Sequence, residues 1–294
     1  MKKITAALVQ QSCSADKTAN LAKSIERIRK AAKEGANLVV LQELHAGLYF
    51  CQTEDTGCFD QAEPIPGPSS ELLASVAAEC GVVLVASLFE RRAAGLYHNT
   101  AVVFEKDGSM AGTYRKMHIP DDPSYYEKFY FTPGDLGFKT IKTQKGRIGT
   151  LICWDQWYPE AARLTALKGA EVLFYPTAIG WHPGEKEQYG ENQYGAWMNV
   201  MKGHAVANGI YVAAANRIGL EQYVPNTAGI EFWGASFITG PQGEILAQAS
   251  HDKEEILIAE VDLDLQENIR QNWPFFRDRR IDAFGDITKR ALDE

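Results

Sequence analysis

The sequence predicts an α/β fold: an α-β-β-α sandwich of two mixed sheets with helices on the outer faces. Three observations carry that expectation. Apolar runs at 36–44, 82–87, 170–176 and 210–215 alternate with stretches of helical periodicity, the pattern of strands covered on both faces. Tight turns, Lys106-Asp107-Gly108 and Gly240-Pro241-Gln242-Gly243, separate other strand-like runs and signal antiparallel hairpins. No linker or change of composition divides the 294 residues, and at 45% hydrophobic they hold ample material for a core, so 1–294 reads as one domain.

Taken in order, residues 4–10 form the first strand. Residues 16–34 follow as an amphipathic helix with Leu21, Ile25, Ile28 and Ala32 inward, ended by Gly35. The run at 36–44 is a strand with Glu43 at its far end. An aromatic loop leads to a helix over 69–80 with Leu72, Leu73, Val76 and Ala77 inward, and a strand over 82–87 closes the unit. The hairpin 98–116 ends at Lys116, and the loop 117–137 is long enough to read as functional. Ile148, Leu151 and Ile152 make a buried strand, and Pro159-Glu160 opens a helix that runs to 168, because proline suits the first helical position and an acid the positive end of the dipole. Cys153 therefore stands at a strand-to-helix elbow. Later come a helix over 195–208, a hairpin over 237–246, and a tail from about 263 that is helical, then aromatic and basic. Such a tail suits a subunit interface, so a homo-oligomer built from dimers is expected.

Composition narrows the classes. A net charge of -8 disfavours nucleic acid as a partner, since phosphate binding needs a basic face, and is compatible with a small cationic substrate. No segment approaches the roughly 20 apolar residues of a membrane span, and Gln10, Gln11 and Ser12 cut the first apolar run short of a secretory leader. Five cysteines at irregular spacings argue against a disulfide framework, and His45, Cys51 and Cys58 match no usual zinc spacing. A cytoplasmic protein with no membrane partner is expected.

Alone, Cys153 reads as a small buried hydrophobe, Glu43 as a surface carboxylate and Lys116 as a solvated strand-end lysine. Together they stand at three strand ends, where sheet folds place active sites, and they make chemical sense. A carboxylate takes the proton of a thiol and returns it to a leaving amine, while an ammonium stabilises an oxyanion. Glu43 in Leu41-Gln42-Glu43-Leu44, Lys116 in Tyr114-Arg115-Lys116-Met117-His118-Ile119-Pro120 and Cys153 in Ile152-Cys153-Trp154-Asp155 resemble the Glu-Lys-Cys triad of the carbon-nitrogen hydrolase, or nitrilase-like, superfamily. The resemblance covers nearly the whole chain and implies the same sandwich fold.

Within the superfamily the finer resemblance is to its N-carbamoylputrescine amidohydrolase branch, on the segments 116–123, 125–135 and 153–157. It implies attack of Cys153 on a ureido carbon, Glu43 as general base then acid, Lys116 and the backbone amide of Trp154 at the oxyanion, and Glu127 as a second glutamate orienting lysine and substrate. Thiol, carboxylate and ammonium are the working parts of that chemistry, so the resemblance calls for no metal and no organic cofactor. A cationic tail asks for an acid away from Cys153, for which Asp122 and Glu187 are candidates. Tyr49, Tyr125, Trp154 and Trp181 are candidate apolar walls, and His118 a hydrogen-bonding neighbour of the substrate site rather than a base. The segment 45–52 departs from the branch at His45 and Ala46, as does 222–231, which leaves the substrate's far end open. Other readings are β-ureidopropionase, ω-amidase or nitrilase chemistry on the same triad, a cysteine-histidine hydrolase, and a non-catalytic scaffold.

Overall fold

Strand β1 (Lys3–Gln10) begins the described part of the computed structural model, residues 3–292; Met1 and Lys2, which open the leader reading above, lie outside it. Helix α1 (Lys17–Lys33) starts where the Asp16 carboxylate accepts the amides of Thr18 and Ala19, and it ends before Gly35, whose φ of 97° suits a residue without Cβ. Then come β2 (Leu38–Val40), α2 (Pro68–Cys80), β3 (Val83–Ala93), β4 (Leu96–Phe104) and β5 (Met110–Arg115). The single turn α3 (Glu127–Tyr130) interrupts the long loop after β5. Next are β6 (Thr140–Thr143), β7 (Gly146–Thr150), α4 (Pro159–Leu167), β8 (Val172–Pro176), β9 (Gly180–Trp181) and α5 (Lys186–Asn208). The chain finishes through β10 (Tyr211–Ala215), β11 (Ile218–Glu221), β12 (Ile230–Trp233), β13 (Phe237–Thr239), β14 (Ile245–Gln248), β15 (Glu255–Asp262) and α6 (Leu263–Asn272).

The described residues form two six-stranded sheets, ordered β15-β1-β2-β3-β4-β5 and β14-β13-β10-β8-β7-β6, and a three-stranded ribbon β11-β12-β9. Both large sheets are mixed: β1, β2 and β3 run parallel, as do β7, β8 and β10, while their neighbours pair antiparallel. Strand alternation explains the layering. Ala6, Leu8, Val40 and Val85 face Ile148, Phe174, Ala213 and Ile238 between the sheets. Their neighbours Ala7, Val9, Val39 and Leu84 face outward onto Ile28 and Ala31 of α1 and Leu73 and Val76 of α2. On the other side Leu173, Tyr175, Val212 and Ala214 pack under Ala162 and Ala166 of α4 and Trp197, Met201 and Ala205 of α5. This is the expected α-β-β-α sandwich. No helix among the described residues is long and apolar enough to cross a membrane.

Some elements differ from expectation. Leu72 is 40% exposed rather than inward, because the buried stripe of α2 runs through Ser69, Leu73, Val76 and Ala77 at three- and four-residue steps. Helix α5 begins nine residues before the expected start at 195, through a polar stretch that shows no apolar periodicity. The antiparallel edge strand β15, paired from Lys3↔Asp262 to Gln10↔Glu255, is not among the expected strands; only Leu257 and Val261 of it are buried, so it has no clean alternation.

Candidate active site

Each reactive residue of the expected triad sits just past a strand of a large sheet. Glu43 follows β2 and precedes Leu44, which holds a left-handed φ of 48°. Lys116 follows β5, its amide donating to the Asn99 carbonyl at 2.9 Å and its own carbonyl accepting from Gly134 at 2.8 Å. After β7, Leu151 and Ile152 enter a 3₁₀ turn, Cys153–Trp157, before Pro159 starts α4. Cys153 itself has φ 40°, a sparsely populated conformation for a residue with a side chain. Asp155 fixes this elbow. Its carboxylate accepts the Ile152 amide at 3.0 Å, the Tyr114 hydroxyl at 2.7 Å and the His118 amide at 3.0 Å, so the elbow is tied to the end of β5.

The three charged groups meet out of water. The Lys116 ammonium donates to Glu43 Oε1 at 2.8 Å and to Glu127 Oε2 at 2.6 Å, with all three side chains at 0–1% exposure. Glu43 Oε1 also accepts Asn99 Nδ2 at 2.7 Å, while Glu43 Oε2 is buried with no hydrogen-bond partner among the described residues. Glu127 Oε1 accepts the Tyr49 hydroxyl at 2.6 Å. The Cys153 thiol lies 3.6 Å from the Ala178 carbonyl, and the Trp154 amide finds no acceptor among the described residues.

Electrostatics follow from burial. Burial, and then the charge of Glu43, push the Cys153 thiol well above its ordinary range, with Lys116 opposing, so at neutral pH it is a thiol that needs a base. Burial alone would lower Lys116, but Glu127 and then Glu43 outweigh it and keep the ammonium charged. Burial raises Glu127 to about 7 against the pull of Lys116. A neutral thiol, a carboxylate with an uncommitted oxygen, a fixed ammonium and an open amide are the parts of an acyl-transfer site.

A cavity of about 610 Å³ opens on Cys153 and is lined by Asp122, Tyr125, Trp154, Trp157, Gly180, His182, Glu185, Gln193 and Trp233 among others. Its carboxylates are Asp122 and Glu185, and no lysine or arginine lines it among the described residues.

The carbon-nitrogen hydrolase family model matches residues 5–271. The chain belongs to the carbon-nitrogen hydrolase family. Among curated relatives of this hydrolase, the N-carbamoylputrescine amidase of Solanum lycopersicum is 45% identical, the match covering 96% of this chain and 93% of that one. The citrullinase of Francisella tularensis is 42% identical over 99% of this chain and 100% of the other. Among solved structures, a carbon-nitrogen hydrolase from Helicobacter pylori aligns with a TM-score of 0.95 at 50% identity, covering 99% of this chain and 100% of that one.

In this hydrolase the structure brings Glu43, Lys116 and Glu127 into contact and sets Cys153, Trp154, Tyr125 and Asp122 on the cavity. Other expected site residues lie elsewhere. Glu187 is exposed and does not line the cavity, because α5 already begins at Lys186; Glu185, at its N-cap, lines it instead. Tyr49 is fully buried and braces Glu127 rather than forming a wall. His118 is also off the cavity, its ring bonded to Asp155 at 2.7 Å and stacked on Tyr158 at 3.7 Å. Trp181 packs on Trp233 behind the wall, with the Lys186 ammonium over its ring. The sequence reading passed over Asn99 and Asp155. Asn99 carries no local signal, whereas Asp155, two residues beyond the cysteine and the one carboxylate in the turn Cys153–Trp157, could have been found from its position.

Proposed function

We propose that this chain hydrolyses N-carbamoylputrescine to putrescine, ammonia and carbon dioxide. The Cys153 thiol passes its proton to Glu43 as sulfur adds to the ureido carbon. Lys116 and the Trp154 amide stabilise the resulting oxyanion, an effect typically worth about 3 kcal/mol per donor. Glu43 returns the proton to the departing nitrogen, the carbon–nitrogen bond breaks, and a carbamoyl thioester remains. Water, deprotonated by Glu43, then releases the thiol, and the carbamic product loses carbon dioxide. Glu127 holds the Lys116 ammonium in line.

The observation that carries the substrate assignment is the cavity wall: two carboxylates, Asp122 and Glu185, and no lysine or arginine among its described lining residues. That wall suits a tail ending in an ammonium and disfavours one that also bears a carboxylate. The relatives named N-carbamoylputrescine amidase support the same reading. Ammonia release from N-carbamoylputrescine, citrulline, β-ureidopropionate and a dicarboxylate monoamide tests it. The first should exceed the others at least tenfold in kcat/KM, about 1.4 kcal/mol in the transition state; parity with citrulline overturns the assignment.

The chain works as one hydrolase domain in the cytoplasm, a setting supported by five free cysteines. It assembles as a homo-oligomer through the tail beyond 263, where Trp273 and Phe275 remain 58% and 48% exposed. Light scattering on the full chain, which should give a mass of two protomers or more, tests the assembly.

A further inference from the structure

We propose that the buried ion pair Arg217–Glu221 is a positioning device that holds both carboxylates around Lys116 from behind. The inference rests on the reading of Glu43 as the base. It starts from the burial of the pair, at 0% and 3% side-chain exposure, with one guanidinium nitrogen of Arg217 2.9 and 3.0 Å from the two oxygens of Glu221. A buried pair of this kind adds little to stability over apolar packing, so where its remaining hydrogen bonds go is the informative point.

They go to the turn that carries Glu43. The other terminal nitrogen of Arg217 donates to the Glu43 carbonyl at 3.3 Å, the Leu44 carbonyl at 2.9 Å and the Gly47 carbonyl at 3.1 Å, and lies 3.5 Å from the Cys13 sulfur. Leu44 sits between at φ 48°, its amide donating to the Ser87 hydroxyl at 3.3 Å. A residue holds that conformation only when its surroundings over-determine it, and here Arg217 and Ser87 grip the peptide groups on its two sides. Moving the Glu43 carbonyl would re-aim the carboxylate on the same residue.

The second arm runs through Glu221. One of its oxygens accepts the Tyr49 amide at 2.7 Å, and the Tyr49 hydroxyl donates to Glu127 at 2.6 Å. The Phe232 ring packs against both arms, 5.2 Å below the guanidinium and 5.7 Å from the Tyr49 ring. Arg217 thus reaches Glu43 and Glu221 reaches Glu127, while neither lines the cavity.

The test uses Glu221→Gln, which keeps the shape and removes the charge, beside Arg217→Lys, which removes the planar fork. Tyr49→Phe, a loss of one hydroxyl, serves where either of these fails to fold. Folding is followed by circular dichroism and melting temperature. Two readouts separate positioning from mere support: kcat against KM, and the rate at which iodoacetamide alkylates Cys153, with Glu43→Gln as reference. Folded Glu221→Gln should lose at least tenfold in kcat with KM within threefold, and its alkylation rate should shift at least twofold in the same direction as that of Glu43→Gln. Tyr49→Phe should lose at least threefold in kcat. A folded variant that keeps kcat and alkylation within twofold and loses only melting temperature overturns the proposal. Alkylation needs no substrate, so it decides the matter even where N-carbamoylputrescine proves not to be turned over.

Discussion

The ammonium of Lys116 and the carboxylate of Glu127 lie 2.6 Å apart with no contact to solvent, and Glu43 closes on the same ammonium from another side. One cation between two acids means that removing the lysine leaves two carboxylates facing each other in the core. Lys116→Met should therefore cost about 3–5 kcal/mol of stability in urea unfolding, as uncompensated buried charges do, and abolish turnover. A folded variant within 1 kcal/mol of the parent, on the order of measurement error plus an ordinary substitution, would contradict the burial described here.

The Cys153 thiol is held above its ordinary range, first by burial and then by Glu43. A raised pKa means less thiolate at neutral pH than a free cysteine has, so the sign of the pH dependence is fixed. Alkylation by iodoacetamide should climb steadily from pH 6 to beyond 9, without the low-pH plateau of a histidine-paired thiolate. Glu43→Gln should lower kcat by about 10²–10⁴, the range for a lost general base. Replacing His118, which is off the cavity, should cost far less.

Glu185 and Asp122 are the acids on the cavity wall. Glu185→Gln is expected to raise KM for N-carbamoylputrescine about tenfold while leaving kcat within threefold, with KM for the uncharged N-carbamoylbutylamine nearly unchanged, because a uniform binding contact is lost. Equal effects on both substrates would place the ammonium elsewhere, and Asp122→Asn is the next variant to compare.

A Cβ added to Gly180 would run into the Glu231 carbonyl oxygen and lie 2.6 Å from the Phe232 Cα, both of them backbone atoms of the paired strand β12. Backbone cannot swing aside as a side chain can. Gly180→Ala should destabilise the protein by about 1–3 kcal/mol, the usual cost of overpacking, and raise KM because Gly180 also lines the cavity. Calorimetry and steady-state kinetics on the same preparation check both parts.

Much of the site was legible because the sheet does the placing. A reactive residue just past an apolar strand projects at the sheet edge, and three such residues, Glu43, Lys116 and Cys153, needed no knowledge of loops. The fold was legible for the same reason: strands covered on both faces leave continuous apolar runs. What stayed hidden depends on contacts far apart in sequence. Tyr49 reads as a loop aromatic, and only the return of the chain at Glu127 gives its hydroxyl a partner. Glu187 is the acid expected from sequence and Glu185 the one on the cavity: the polar start of α5 has no periodicity to tell them apart, and a shift of two residues at a helix start turns a side chain by more than half a turn. Arg217 is a charge just past an apolar strand, and its burial follows from Glu221 and from carbonyls more than 170 residues earlier in the chain.

The cavity joins parts with different origins in the fold. Its reacting end, Cys153 with Lys116 and Glu43 behind it, hangs from the two large sheets, whereas Gly180, Glu185 and Gln193 come from the small ribbon and the head of α5. Gly180, Glu185 and Gln193 make none of the hydrogen bonds that hold Glu43, Lys116 and Glu127, so changes among them would reshape the wall that meets the substrate's tail while those bonds stay in place. A lineage built this way would diversify its metabolites sooner than its chemistry.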